Sequence, residues 1–179
     1  MNDAQAVSPS AAQLSAQPLS ALALLRYVAD EVAVASDDSV EVIAALVRRY
    51  LDASAAGVSV VDRAKRVLRI AALVPRAASN DFYVWRSLPL DRGFPGGAAV
   101  LNAATYELGT RAEILDMFPS VIAYPVGDKA QALYCAPLIR RAEIVGTVFA
   151  AWDRENRLSD EQRETMRVVA TLAANAVDS

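Results

Sequence analysis

The chain has 179 residues, 54% of them hydrophobic, and its net charge of −3 provides no basic surface for nucleic acid or an anionic membrane. It has no histidine, which excludes imidazole-based catalytic triads, a histidine phosphoacceptor and histidine ligands for a metal or haem. The single cysteine, Cys135, excludes an intramolecular disulfide and a cysteine zinc site. We therefore expect no cofactor and no bound metal.

The N-terminus lacks the basic start and apolar core of a signal peptide, and no apolar run reaches the ~20 residues of a membrane helix. A cytoplasmic protein without membrane or nucleic-acid partners is expected. Residues 1–18 are rich in Ala, Ser and Gln and are expected to form a disordered tail, followed by one domain over 19–179.

Two helices are expected next, one over 19–35 and a second that ends at about residue 53, with Asp37-Asp38-Ser39 between them as a break that offers good N-cap residues. The first helix is apolar well beyond one stripe, with Leu24 and Val28 on different flanks from Leu22. Such a helix needs more than one partner. The second partner is either a neighbouring helix or a second subunit, and the pattern alone does not decide between them.

The middle of the chain alternates short strands and short helices. Residues 58–61 and 67–74 predict a hairpin with a charged turn, and 85–90 predict an edge strand limited by Pro89. The following segments predict, in order, a helix over 95–102, a strand over 105–108, a helix over 111–118 and a loop over 119–129.

The stretch 132–152 predicts the hairpin around which the sheet is built. Its first strand, 132–139, is apolar on both faces, which is typical of a central strand, and its second, 144–152, is rich in β-branched and aromatic residues. A last helix begins at Ser159 with Gln162 three residues later, the pattern of a capping box. The fold class is therefore α+β: an antiparallel sheet of about six strands, terminal helices on one face, and a lid of short helices and loops on the other.

Particular residues in this layout resemble a GAF domain, a fold similar to PAS domains. The residues that carry the resemblance are Ala-Pro-Leu-Ile at 136–139, Ile-Val-Gly-Thr-Val at 144–148 and Leu-Ser-Asp-Glu-Gln at 158–162. Leu-Pro-Leu at 88–90 and Tyr-Glu-Leu at 106–108 further resemble the bacterial subgroup attached to sensor histidine kinases and metal-dependent serine/threonine phosphatases. The resemblance implies a small-molecule pocket under the lid, a homodimer through the terminal helices, and a signal passed to an output domain. We expect the chain either to act alone, to work on a signalling protein in trans, or to be a fragment of a larger signalling protein.

The specialised GAF subfamilies differ from this sequence at their functional residues. Bilin-binding members use a cysteine commonly followed by histidine, haem-binding members a histidine, and cyclic-nucleotide-binding members a motif of Asn, Lys, Phe and Asp that is not found here. Free methionine-sulfoxide reductases of this fold use several cysteines, and Cys135 alone has no partner to resolve a disulfide. We therefore expect a protein that is not an enzyme, with no catalytic residues.

The pocket implied by the resemblance is expected to be lined by aromatic residues and anchored by cations. The candidate lining residues are Trp85, Phe94, Tyr106, Met117, Phe118 and Tyr134, and the candidate anchors for an anionic ligand are Arg86, Arg92 and Arg111. The alternative is that these aromatics close a dry core and the arginines are solvated. Cys135 is expected to be a small buried core residue rather than a reactive thiol.

These observations favour a sensory or regulatory module that binds an unknown small molecule, dimerises, or does both. The alternative is a structural or protein-interaction module that dimerises without a ligand.

Overall fold

The computed structural model describes residues 19–34, 36, 38–75 and 86–177; the predicted tail at 1–18 and Trp85 lie outside this part of the chain. The described elements are α1 (Ala21–Val34), α2 (Ser39–Tyr50), β1 (Ala55–Asp62), β2 (Val67–Val74), β3 (Ser87–Pro89), α3 (Pro95–Asn102), β4 (Tyr106–Leu108), α4 (Arg111–Met117), a 3₁₀ helix (Pro119–Ala123), α5 (Pro125–Lys129), β5 (Ala132–Arg140), β6 (Glu143–Trp152) and α6 (Asp160–Ala173).

The described strands form one antiparallel sheet in the order β3-β2-β1-β6-β5-β4. The predicted α+β class is confirmed, and the β5–β6 hairpin lies in the middle of the sheet with β6 paired to β1. The second strand of the hairpin requires a glycine at position 146, because a Cβ atom there would lie 2.0 Å from the Ser59 carbonyl oxygen. Any side chain at this position would push β1 and β6 apart.

One face of the sheet is covered by the terminal helices α1, α2 and α6. Val58 on β1, Tyr134 on β5 and Val148 on β6 belong to the core on this side, together with Leu24 and Met166 from the helices. Because side chains alternate along a strand, the residues between these positions face the opposite side of the sheet. The predicted placement of terminal helices on one face and a lid on the other is confirmed, with the lid elements α3, the 3₁₀ helix and α5 over that opposite side.

The start of α6 is fixed by the capping box that the sequence predicts. The Gln162 amide donates to Ser159 Oγ over 3.1 Å, and the Ser159 amide donates to Gln162 Oε1 over 2.9 Å. Arg163 on the same turn forms a 2.8 Å ion pair with Glu107 on β4 and holds the pKa of that carboxyl below its ordinary value. The first turn of α6 is thereby attached to the edge of the sheet.

Two predicted boundaries differ from the structure. Helix α2 ends at Tyr50 rather than near residue 53, and Asp52 adopts a left-handed backbone with φ of 48°, which cannot continue a helix. The predicted loop over 119–129 instead contains the 3₁₀ helix and α5, each of which has a proline at its first position. A proline there needs no amide hydrogen-bond partner and has the helical φ already set.

Within the described ranges, no helix combines the length and apolar character needed to cross a membrane.

Candidate functional site

A cavity of about 450 Å³ lies between the sheet and the lid. Its floor is formed by residues of β1, β2, β5 and β6 that face away from the terminal helices, and its cover by residues around α3, the 3₁₀ helix and α5. The floor includes Ala55, Ser59, Leu68, Ile70, Leu133, Cys135, Thr147, Phe149 and Ala151; the cover includes Phe94, Gly96, Val121, Tyr124, Val126 and Gly127. The size is that of an ordinary small-molecule site.

The partial exposure of several apolar cavity residues shows that they face empty space. Phe149 lies in the middle of β6, next to the fully buried Val148 and Ala150, yet it is only half-buried. Ile70 on β2 is likewise half-buried. Large apolar side chains in a sheet interior are ordinarily close-packed, so this open space is a site where an apolar ligand would remove surface from water.

Two hydroxyl groups meet on the floor of this cavity. Ser59 and Thr147 are directly paired across β1 and β6, and their oxygens lie 2.6 Å apart in a buried hydrogen bond. The Thr147 side chain also bonds to the Cys135 thiol on β5. The three side chains form a short polar chain in a lining that is otherwise mostly apolar.

Cys135 is buried, as expected from its place in an apolar strand, but it is also part of the cavity floor. Burial raises the pKa of its thiol to about 12, and the hydrogen bond from Thr147 only partly opposes that change. The group is therefore a neutral thiol at physiological pH.

Charged lining residues are found at the edge of the cavity. Lys129, at the end of α5, and Asp153, just after β6, are both exposed members of the lining and carry opposite charges. The neighbouring Ser54 hydroxyl accepts a 2.9 Å hydrogen bond from the Asp153 amide. In the described lining, the interior contains no ionised side chain.

The aromatic residues predicted to line the pocket have separate locations. Phe94 lines the cavity and packs edge-to-face on Tyr124 with ring centroids 4.8 Å apart. Tyr106 and Phe118 pack on each other at 5.3 Å in a second core under α4. Tyr134 lies on the helix-covered face of the sheet, and Met117 is 51% exposed at the end of α4. Trp85 lies outside the described residues.

The arginines predicted to anchor an anion do not belong to the cavity lining. Arg111 donates to the Gly127 carbonyl and, over 2.9 Å, to the Ala130 carbonyl, and so ties α4 to the middle and to the C-terminal end of α5. The Arg92 Nε atom donates to Asn102 Oδ1 over 2.9 Å. This hydrogen bond joins the segment before α3 to the last residue of α3. Arg86 is exposed next to β3. The expectation of an arginine-held anion therefore has no geometric support in the described cavity.

Sequence reasoning missed Ser59 and Thr147. A usable signal was present, since each is a lone hydroxyl residue inside a strand of otherwise apolar residues. Polar groups in central strands are unusual unless they bond to each other or to something else.

No family model matches the sequence, and no curated protein matches it. Several solved structures are similar to this chain. The GAF domain of an Acinetobacter phosphoenolpyruvate-protein phosphotransferase is 13% identical with a TM-score of 0.72, over 87% of this chain and 90% of that one. A GAF sensor protein from Burkholderia vietnamiensis is 18% identical with a TM-score of 0.60, over 86% and 92%.

A third similar structure corrects one expectation. The free methionine-R-sulfoxide reductase from Neisseria meningitidis, solved with its substrate, is 16% identical with a TM-score of 0.69, over 95% of this chain and 92% of that one. Reductases from Staphylococcus aureus and Thermoplasma acidophilum match as well. The expectation that this chain is not an enzyme is therefore wrong as an inference from its fold and from missing residue types, because the same fold is found in enzymes.

These similarities cover most of the chain. The chain has the fold of a GAF domain.

Proposed function

We propose that the chain is a regulatory domain that binds a small molecule in the cavity and passes its state of occupancy to the terminal helices. The observation that carries this proposal is the position of Trp152. Trp152 lies at the end of β6 among the cavity-lining residues, its side chain packs in the core beneath the helices, and its indole Nε1 donates a 3.1 Å hydrogen bond to the Leu51 carbonyl at the end of α2. A ligand that moves the indole would therefore move the end of a helix on the other side of the sheet.

The similar structures support a regulatory role. Among them are the GAF domain of a phosphotransferase, a GAF sensor protein and a segment of a methyl-accepting chemotaxis protein. In such an arrangement the output is read by a partner, which we propose to be a signalling protein that contacts α1, α2 or α6.

Filling the cavity is expected to abolish binding without harming the fold. Ala55 lines the floor and is half-buried, so Ala55→Phe places a ring in the empty space. Apolar cavity-filling changes commonly stabilise by about 0.5–2 kcal/mol, and the melting temperature is expected to equal or exceed that of the wild type. Binding of the neutral fluorescent probe N-phenyl-1-naphthylamine is expected to weaken at least tenfold, because the ring occupies its site.

Ala112→Phe is the matched control, because Ala112 is exposed on α4 and the same side chain is added outside the cavity. It is expected to bind the probe as the wild type does. Equal probe binding by Ala55→Phe and the wild type would contradict the proposal that the cavity is the ligand site.

A second proposal concerns assembly. Leu22 and Val34 at the two ends of α1 are 78% and 70% exposed, so two large apolar side chains of this helix lie on the surface of the single chain. We propose that a homodimer through the terminal helices covers them. Light scattering is expected to report a dimer for the wild type and a shift toward monomer for Leu22→Glu, because a carboxylate would be buried without a partner. A wild-type monomer at high concentration would exclude this assembly.

A further inference from the structure

The charges around the cavity decide which ligands it accepts. Among the described lining residues the ionised side chains are Lys129 and Asp153, which are exposed and opposite in sign. Arg92 and Arg111 bind acceptors of the lid instead. An ion inside an apolar cavity loses its hydration and needs a buried partner of opposite charge. The described interior supplies none, so it disfavours anions and cations alike.

The hydroxyl pair provides a polar anchor on the cavity floor, where the described lining has no charged side chain. A hydroxyl group donates one hydrogen bond and accepts two. After the 2.6 Å bond between Ser59 and Thr147 and the bond from Thr147 to the Cys135 thiol, the pair still has acceptor capacity, and both residues line the cavity. A donor on a ligand can therefore bond to the floor without leaving either hydroxyl unpaired.

Size sets the third limit. If each non-hydrogen atom takes the ~30 Å³ that one molecule occupies in liquid water, the cavity holds a ligand with on the order of 15 such atoms. Given the proposed function, on which this rests, we infer that the ligand is an uncharged and mostly apolar molecule of this size. One hydrogen-bond donor on it bonds to the Ser59–Thr147 pair on the cavity floor.

Three compounds on one scaffold test this inference: biphenyl, 4-phenylphenol and biphenyl-4-carboxylate. Each competes with N-phenyl-1-naphthylamine at neutral pH, where the phenol is uncharged and the carboxylate is ionised. In the wild type, 4-phenylphenol is expected to bind about tenfold more tightly than biphenyl, the effect of one net hydrogen bond. The carboxylate is expected to bind at least tenfold more weakly than the phenol, because its charge has no partner inside.

The double variant Ser59→Ala/Thr147→Val separates the anchor from the apolar cavity. Its preference for the phenol over biphenyl is expected to disappear, while its affinity for biphenyl stays within about twofold of the wild type. Thr147→Ser, which keeps a hydroxyl, is expected to retain the preference. If the double variant does not fold, Ser59→Ala/Thr147→Ala also removes both hydroxyls and gives the same readout.

The outcomes distinguish the inference from the proposed function. Equal binding of biphenyl and the phenol, or a phenol preference that survives removal of both hydroxyls, would overturn the anchor while leaving a functional cavity. Tightest binding by the carboxylate would overturn the neutral ligand class and point to Lys129 as the anchor. If neither the fluorescent probe nor any of the three compounds binds, the proposed function fails and this inference fails with it.

Discussion

Cys135 in the folded protein is expected to react with iodoacetamide about a thousandfold more slowly than in the unfolded chain at about pH 8. The reactive species is the thiolate. Burial raises the pKa of this thiol to about 12, so the thiolate is about one part in 10⁴ at that pH, against roughly a quarter for a thiol with an ordinary pKa near 8.5. Because this pKa is raised, the reaction rate is expected to increase about tenfold per pH unit from about pH 7 to 10.

The measurement is the alkylation rate by mass spectrometry across this pH range, in buffer and in guanidinium chloride. The Cys135→Ser variant contains no thiol, because Cys135 is the single cysteine of the sequence, and it gives the background rate. If the reagent reaches the thiol only through local unfolding, the rate will be lower still and will level off near the ordinary thiol pKa. A rate within tenfold of the unfolded chain would mean that the environment of Cys135 favours the thiolate.

This result also concerns the reductases that share the fold. Any thiol chemistry in this protein depends on the pKa of Cys135 when the cavity is occupied, because the thiol lies on the cavity floor. The alkylation rate is therefore also measured with saturating 4-phenylphenol. A ligand that fills the cavity is expected to protect the thiol, because Cys135 lines the cavity and a reagent would reach it through that space.

The architecture could be predicted because its signals are local and repeated. The hairpin at 132–152 combines β-branched residues with a charged turn, and the last helix has its own capping box, so neither depends on distant contacts. The helical segments within 119–129 were missed although the prolines at 119 and 125 mark first helical positions. Short helices contain too few residues for a periodic pattern to be visible.

The site could not be predicted to the same depth. A strand that is apolar on both faces does not reveal which residues face the helices, so the sequence predicts Tyr134 in the pocket although its side chain faces the helices. The role of Arg111 depends on carbonyls 16 and 19 residues further along the chain, a contact that no local pattern encodes. The cavity exists because side chains from distant segments do not fill the space between them. It depends on tertiary packing, which a local sequence pattern does not encode.

Trp152→Ala is expected to lower the free energy of unfolding by about 3–5 kcal/mol. The side chain is 2% exposed, it packs in the helix-side core, and its removal leaves a large void and takes away the hydrogen bond to the Leu51 carbonyl. Denaturant unfolding followed by circular dichroism measures the loss. The conservative Trp152→Phe keeps most of the apolar volume but not the indole N–H, and is expected to cost about 1–2 kcal/mol.

The same pair of proteins tests whether Trp152 transmits ligand binding. In the wild type, 4-phenylphenol is expected to slow hydrogen exchange at the amides near Leu51, because a filled cavity holds the end of β6 and the Trp152 indole at that end holds the end of α2. In Trp152→Phe the ligand is expected to bind within a few fold of wild-type affinity, while the protection near Leu51 is lost. Equal protection in both proteins would mean that the signal reaches the helices by another path. Because affinity and protection are measured separately, a failure of transmission is not mistaken for a failure to bind.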